Sequence, residues 1–290
     1  MWRQDYTTDE LKFAYSYRVY ARWHTHCWRP TDALTSLTRN QFRHLVSRHN
    51  IRVLDLKTDT REIVVAASLR PHDTVSAAVS KIKGPLSKWL GQRTDPGTHK
   101  HLGDGYFACT HGDTTRQKVM AYLSKQGHHH GYTDRVNPPI FEQTFRAASD
   151  TESLLQPKHA RAMLRYHLVF ATWRRKGVFG TANGEAIAAV WSRLGSANKF
   201  LLEKVSFVPD HVHLAVRFHP TVQPAELIPR LLNCAEVLMH TEFPEDLIRG
   251  GVHRLWQPSA YLGAYGDVNS KRIRAYIDAW RGRGMRTSQH

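Results

Sequence analysis

The feature that most constrains the fold is an order of predicted elements that occurs twice along the 290-residue chain. Strict alternation of apolar and polar residues predicts strands, and apolar residues three and four positions apart predict helices. Both patterns give strand, helix, strand, strand, helix, strand and helix between residues 11 and 126, and the same order between residues 164 and 280. We therefore expect two α+β units with the same architecture.

The separation between matching residues is nearly constant along the two units. Trp23 lies 150 positions before Trp173, and Gly112 lies 154 positions before Gly266. A separation that drifts so little indicates a tandem duplication. Duplications of this kind commonly replace a symmetric homodimer, so the sequence predicts a single-chain pseudo-dimer.

A polar, proline-bearing stretch with weak periodicity divides the two units, which is typical of a linker. We predict a first domain over residues 1–136, a linker over 137–160 and a second domain over 161–290.

His211 and His213 lie two positions apart in the strand-like stretch HVHLAV. Side chains at i and i+2 project from the same face of a strand, so both imidazoles point into one space. Two neutral imidazole nitrogens on one face can ligate a divalent metal. Taken alone, the pair also fits two ordinary half-buried histidines.

The first unit differs at the matching positions. A separation of 150 residues places Arg61 and Ile63 opposite the two histidines. Neither side chain is a metal ligand there, so we predict that the first unit has lost its histidine pair.

The last helix of each unit shows the opposite loss. Tyr122 and Gln126 are four residues apart and share one helix face, and the matching pair is Tyr276 and Trp280. The glutamine carbonyl oxygen can ligate a metal, whereas tryptophan cannot. A tyrosine beside a metal can attack a phosphodiester, although Tyr122 alone also fits a half-buried helix residue.

The chain is strongly basic, with 41 Lys and Arg against 25 Asp and Glu, a net charge of +16. This balance indicates a polyanionic partner, nucleic acid first. Candidate phosphate contacts, which could equally be a solvated basic face, are Arg174, Arg175, Lys176, Lys271, Arg272 and Arg274.

The chain has three cysteines, none in CxxC spacing. Its polar first residues do not predict a signal peptide, and no apolar run approaches the roughly 20 residues that span a bilayer. We expect a cytoplasmic, nucleoid-associated protein without a membrane partner.

Three motifs of the second unit resemble the single-tyrosine HUH transposases, of the insertion-sequence and REP-associated types. They are YHLVFATWRRKGVF (166–179), FVPDHVHLAV (207–216) and YGDVNSKRIRAYIDAW (265–280). The first unit resembles the family more faintly, through IKGPLSKWL (82–90), GYFACTHG (105–112) and AYLSKQ (121–126). The resemblance covers nearly the whole chain outside the linker.

The resemblance implies ferredoxin-like domains with antiparallel sheets, working as dimers on single-stranded DNA beside a small hairpin. It implies that His211 and His213 bind Mg²⁺ or Mn²⁺, and that a glutamine completes the metal site. A tyrosine of the last helix would form a 5′-phosphotyrosine link. The expected activity is metal-dependent nicking and strand transfer of single-stranded DNA.

In this family the tyrosine helix can dock against the partner's histidines. Exchanging the helices between the two units gives one complete composite site, with His211, His213, Gln126 and Tyr122, and one dead site. Docking within each unit would instead pair the histidines with Tyr276. A non-cleaving protein that binds DNA hairpins or ends, and a tyrosine-linked DNA terminal protein, are the alternative functions. The pseudo-dimer could act as a monomer.

Overall fold

The computed structural model describes residues 6–94, 100–125, 141–146, 153–158 and 160–266. The strands are β1 (Lys12–Ser16), β2 (Arg18–His24), β3 (Arg52–Thr58), β4 (Glu62–Ser68), β5 (Tyr106–Thr110), β6 (Phe141–Thr144), β7 (Ala160–Met163), β8 (Arg165–Thr172), β9 (Phe200–Val208), β10 (His211–Phe218) and β11 (Trp256–Tyr265). The helices are α1 (Arg39–Val46), α2 (Val75–Gly91), α3 (Arg116–Ser124), α4 (Thr181–Ala197), α5 (Pro224–Glu242) and α6 (Pro244–Gly250). Within these ranges, no helix has the length and apolarity needed to cross a membrane.

The strands form two sheets with the same central order. One sheet runs β3-β4-β2-β5-β7 and the other β1-β11-β8-β10-β9-β6. The four strands β3-β4-β2-β5 correspond in order to β9-β10-β8-β11, and every neighbouring pair among them is antiparallel. The predicted α+β class with antiparallel sheets is therefore confirmed.

The two halves of the chain exchange strands at their sheet edges. β1, from the first half, pairs in parallel with β11, and β7, at the start of the second half, pairs in parallel with β5. β6 lies inside the predicted linker, yet it pairs with β9. The stretch between the halves therefore contributes a strand of the second sheet instead of merely joining two units.

The hydrogen-bonded registers change the predicted match to the histidine pair. The hairpins β3–β4 and β9–β10 each contain one bulge, at which a residue of the first strand is skipped. Counting from these bulges, Glu62 and Val64 occupy the positions of the two histidines. The prediction of Arg61 and Ile63 there is wrong by one residue, and a one-residue slip moves a side chain to the other face of a sheet.

A second mismatch occurs on the corresponding strands β2 and β8. β2 and β8 each lead into a 3₁₀ turn, His26–Trp28 and Trp173–Arg175, with two non-glycine residues in the left-handed region. These turns correspond, and they lie 147 positions apart rather than 150. The match of Trp23 to Trp173 is therefore wrong: Trp23 is a buried residue of β2, whereas Trp173 lies in the turn.

One hydrophobic core continues from the first half into the second. Tyr17 and Tyr166 meet edge to face, with ring centroids 5.4 Å apart, and both side chains are buried. Burial of large aromatic side chains is among the strongest contributions to packing energy. The two sheets are therefore held together by their interiors as well as by the exchanged strands.

We expect Gly112→Ala to destabilise the fold, because the ends of β5 and β11 approach each other closely. A Cβ at Gly112 would overlap the carbonyl oxygen of Ala264. Forcing an atom into such a contact costs about 1–3 kcal/mol. Urea unfolding would measure the loss. Gly103→Ala is the matched control, since its Cβ would meet the carbonyl oxygen of His24 at an ordinary 3.5 Å. Equal unfolding midpoints for the two variants would contradict the close approach.

Candidate functional site

Strand β10 places His211 and His213 on one face of the second sheet. Between and beyond them Val212 and Leu214 are fully buried on the opposite face. The two imidazole rings are 4.8 Å apart between centroids, and the side chains are 2% and 4% exposed. The histidine face is thus covered by protein, and the residues that cover it come from other parts of the chain.

A neighbouring group holds one ring nitrogen of each histidine. His211 Nδ1 is 2.6 Å from Asp210 Oδ1, and His213 Nδ1 is 2.8 Å from His167 Nε2. Partners of this kind fix the tautomer and the orientation of a ligating imidazole. The nitrogen that each histidine would offer to a metal is therefore Nε2.

A third histidine, His167, joins His211 and His213 in a histidine cluster, and it was not among the predicted site residues. It projects from β8, and its ring centroid is 5.0 Å from that of His213. Burial lowers the pKa of His167 to about 4, so the ring is neutral at pH 7. A signal was present, because His167 falls between Tyr166 and Leu168, which are buried in the core, and so faces the same side as the histidine pair.

Asp210 connects the histidine pair to the basic turn after β8. Burial acts to raise the pKa of its carboxyl group, but the hydrogen bond and charge of His211, together with Arg175, outweigh burial and lower it. Arg175 Nε is 2.8 Å from Asp210 Oδ2. The carboxylate therefore stays ionised at neutral pH and can orient His211.

Helix α3 comes from the first half, and it packs on the second sheet. Tyr122 lies on this helix with its ring centroid 5.4 Å from that of His213 and 6.1 Å from that of His167. Both contacts are edge to face, and the tyrosine side chain is 38% exposed. The predicted nucleophile and the predicted histidines are thus neighbours, although they belong to different halves.

Apolar contacts hold α3 against the sheet. Val119 and Leu123 are buried in a cluster with Ala215 and Tyr265. Val119 and Leu123 lie four positions apart on α3 and so share one helix face, and their packing against the strands beneath fixes the side of α3 that meets the sheet.

A buried acid strengthens the same contact. Glu203, at the bulge of β9, accepts a 3.0 Å hydrogen bond from the hydroxyl of Tyr265. It also accepts a 3.2 Å hydrogen bond from Arg116 Nε at the start of α3. Burial and the charge of Glu203 raise the pKa of Tyr265, so its hydroxyl stays protonated and remains a donor.

The other predicted site residues fall into two groups. Arg174, Arg175 and Lys176 are exposed on the turn that follows β8, close in sequence to the strand carrying His167. The remaining predicted residues lie outside the described ranges: Gln126, Tyr276, Trp280, Lys271, Arg272 and Arg274.

The described residues contain no group of three or more His, Cys, Asp or Glu side chains able to hold a metal ion. His211 and His213 supply two imidazole nitrogens, which suit a divalent ion of intermediate softness. Two nitrogen ligands leave coordination positions open for the oxygens of water or of a phosphate. The donor set fits a divalent metal that completes its coordination shell with substrate.

The corresponding face of the first sheet carries different chemistry. The strand registers match Tyr20 to His167, Val64 to His213 and Cys109 to Gly263. In the first sheet, Tyr20, Val64 and Cys109 form a small buried cluster. Glu62, in the place of His211, is ion-paired with Arg22. Among the residues described on this face there is no imidazole pair like that of β10.

Comparison with known proteins finds a similarity in the second half of the chain. Residues 160–279 match the family model described as "Transposase IS200 like". A solved structure of a candidate transposase from Deinococcus radiodurans r1 is similar to part of this chain, with 24% sequence identity and a TM-score of 0.32. The match covers 41% of this chain and 89% of the transposase chain. No protein of curated function matches the chain.

Proposed function

Because residues 160–279 match the IS200-like transposase family, we propose that the chain nicks single-stranded DNA and transfers the strand through a 5′-phosphotyrosine intermediate. Tyr122 is the nucleophile. The observation that carries this proposal is the 5.4 Å separation between the rings of Tyr122 and His213, which come from different halves of the chain.

We propose two related halves, each ferredoxin-like, arranged as a pseudo-dimer within one chain. This is supported by the shared order of four antiparallel strands, the shared hairpin bulges and the reciprocal exchange of β1 and β7. In this arrangement α3 crosses to the histidines of the other half. One chain then has one complete site.

The reaction is a transesterification at phosphorus. The Tyr122 phenolic oxygen attacks the scissile phosphate, the O–P bond to tyrosine forms, and the bond to the 3′-oxygen breaks. The tyrosine proton passes to solvent, and the departing 3′-oxygen takes up a proton. Attack by a 3′-hydroxyl of another strand reverses these steps and completes transfer.

His211 and His213 would hold a divalent metal, Mg²⁺ or Mn²⁺, with Gln126 as the proposed third ligand. When bound, the metal would offset the negative charge that develops on the phosphate. Asp210 and His167 keep the two imidazoles oriented through their Nδ1 atoms. Tyr122, edge-on to His213, is positioned beside the phosphate that such a site would hold.

The test is an adduct assay on a DNA hairpin with single-stranded flanks, incubated with the intact chain and Mn²⁺. A 5′-phosphotyrosine link keeps the 3′ part of the strand on the protein. A 3′-end label should therefore co-migrate with the protein on a denaturing gel, while a 5′-end label is released. Retention of the 5′-end label instead would contradict the proposed polarity.

Removing divalent metal with EDTA should abolish the adduct, and adding Mn²⁺ or Mg²⁺ should restore it. Without the metal, the negative charge that develops on the phosphate in the transition state is not neutralised, and that stabilisation is worth several kcal/mol. DNA binding without cleavage should persist in EDTA, measured by anisotropy on the same DNA. An adduct that forms equally well in EDTA would contradict the metal requirement.

Lys176→Ala should weaken DNA binding without changing which sequence is bound, because phosphate contacts carry no base information. The slope of log affinity against log salt should fall by about 1. Lys12→Ala on β1 is a matched control, since Lys12 is also exposed. Equal slopes for the two variants would remove Lys176 from the DNA interface.

A second candidate function is a DNA hairpin- or end-binding protein that does not cleave. It is favoured by the first sheet, where Glu62 and Val64 take the places of His211 and His213. Salt-sensitive DNA binding with no adduct under any divalent metal would support it. The 3′-label result described above would exclude it.

A further inference from the structure

The first half carries an open groove of about 800 Å³ on the face that corresponds to the histidine face. Arg22 and His24 line it from β2, on the opposite side of that strand from buried Trp23. Trp28 lies in the turn that follows, and Phe107 belongs to β5. The proposed reaction uses none of these residues.

Two aromatic side chains of the groove are not accounted for by core packing. Trp28 is 52% exposed and Phe107 is 37% exposed. The ring of His24 packs against the indole of Trp28, with 3.3 Å between centroids. This contact limits the motion of the indole and leaves half of it accessible.

The backbone at Trp28 has φ 58°, in the left-handed region. A bulky residue there costs roughly 1–2 kcal/mol. The corresponding position in the other half, Arg175, has φ 57° and carries a basic side chain. The same turn therefore presents an arginine beside the histidine face and an indole beside the groove.

The charge of the groove is complementary to a polyanion. Lys158 and Arg161 line it and are exposed, and Arg22 lines it while paired with Glu62. Of the described residues that line the groove, none is an aspartate or a glutamate.

We propose that this groove is a second, non-covalent binding site for single-stranded DNA. An unstacked base stacks on the indole of Trp28, beside Phe107, and the phosphates lie against Lys158 and Arg161. Base stacking on an exposed aromatic ring requires a single strand, because the bases of a duplex are already stacked. The proposal rests on the proposed function for its ligand class alone. The half that lacks the histidine pair thereby holds DNA while the other half cuts it.

The probe is a fluorescein-labelled dT20 strand, which forms no hairpin, with a duplex of the same length for comparison. Anisotropy is measured with the intact chain in a Tyr122→Phe background, so that no covalent adduct contributes. Trp28→Ala should weaken dT20 binding about tenfold, the loss of one stacked base. Trp28→Phe, which keeps a ring, should stay within about twofold. Tyr15→Ala is the control, since Tyr15 is 47% exposed on β1 and lies outside the groove.

Cross-linking gives an answer that does not depend on the stability of the Trp28 variants. A dT20 strand carrying one 5-iododeoxyuridine is irradiated with the intact chain, and the linked peptides are identified by mass spectrometry. We expect linkage to peptides containing Trp28 or Phe107. Links only to other peptides, together with unchanged binding by Trp28→Ala, would overturn the proposal.

Two further outcomes would also count against the groove as a DNA site. If Trp28→Ala changes the sedimentation of the chain and not its DNA affinity, the groove is a contact between copies. If the parent chain does not bind dT20 at all, the groove is not a DNA site. Neither result bears on the adduct assay, which decides the proposed function separately.

Discussion

Tyr122→Phe is expected to abolish the covalent protein–DNA adduct, with a loss of about three orders of magnitude or more. The variant removes only the attacking oxygen. The tyrosine hydroxyl is on a side chain that is 38% exposed, so its loss should leave the fold intact. The measurement is the initial rate of adduct formation on the 3′-labelled hairpin DNA, together with urea unfolding to verify the fold.

Tyr261→Phe is the matched control for this variant. Tyr261 is 39% exposed, and its ring centroid is 5.9 Å from that of His167, so it is a second accessible tyrosine beside the same histidines. It lies on β11 of the second half rather than on α3. An adduct that survives Tyr122→Phe and is lost in Tyr261→Phe would assign the nucleophile to β11.

Tyr276→Phe tests the alternative in which the last predicted helix of the second half, and not α3, supplies the tyrosine to His211 and His213. Full adduct formation in this variant is expected if α3 supplies the nucleophile. Loss of the adduct in Tyr276→Phe, with activity retained in Tyr122→Phe, would overturn the composite site.

His213→Asn is expected to lower the rate of adduct formation by at least about a hundredfold, because it removes one of two nitrogen ligands of the proposed metal site. Binding of DNA should change little, because affinity for nucleic acid comes chiefly from phosphate contacts. The rate should be measured across a Mn²⁺ titration, and it should recover in part at high Mn²⁺ if the lost ligand weakens metal binding.

Two other histidines serve as controls for His213→Asn. His167→Gln should lower the rate about tenfold, the effect typical of a residue that orients a metal ligand. His111 is also buried, and it lies next to the close approach between β5 and β11 rather than in the histidine cluster. His111→Gln should therefore leave the adduct rate unchanged. Equal losses for all three variants would indicate a general loss of folding instead of a metal site.

Local patterns in the sequence predict the elements that carry the site. The two-residue period of a strand places His211 and His213 on one face, and the structure has them there on β10. The helical spacing around Tyr122 predicts a helix, and α3 spans that residue. These features depend on neighbouring residues alone, so a single sequence contains enough information for them.

The pairing of strands could not be predicted from the sequence in the same way. A constant separation of 150 residues placed Arg61 and Ile63 where the ladders have Glu62 and Val64, because the separation is 147 residues between β2 and β8 and 149 between the two hairpins. A hydrogen-bond ladder is set by contacts between distant segments, and one inserted residue shifts everything beyond it. The strand β6, inside the predicted linker, was not predicted for the same reason, since its short sequence forms a strand by pairing with β9.

The sequence by itself determined the two-fold order of elements, the basic charge and the shared face of His211 and His213. Only the tertiary structure decided that His167 joins them and that α3 of the first half crosses to their side. The physical reason is the distance in sequence between the interacting residues. The face on which a side chain lies depends only on the period of its own strand or helix, which is a local property. The meeting of Tyr122 with His213 depends on long-range packing, on Val119 and Leu123 against the second sheet and on Glu203 beneath Arg116.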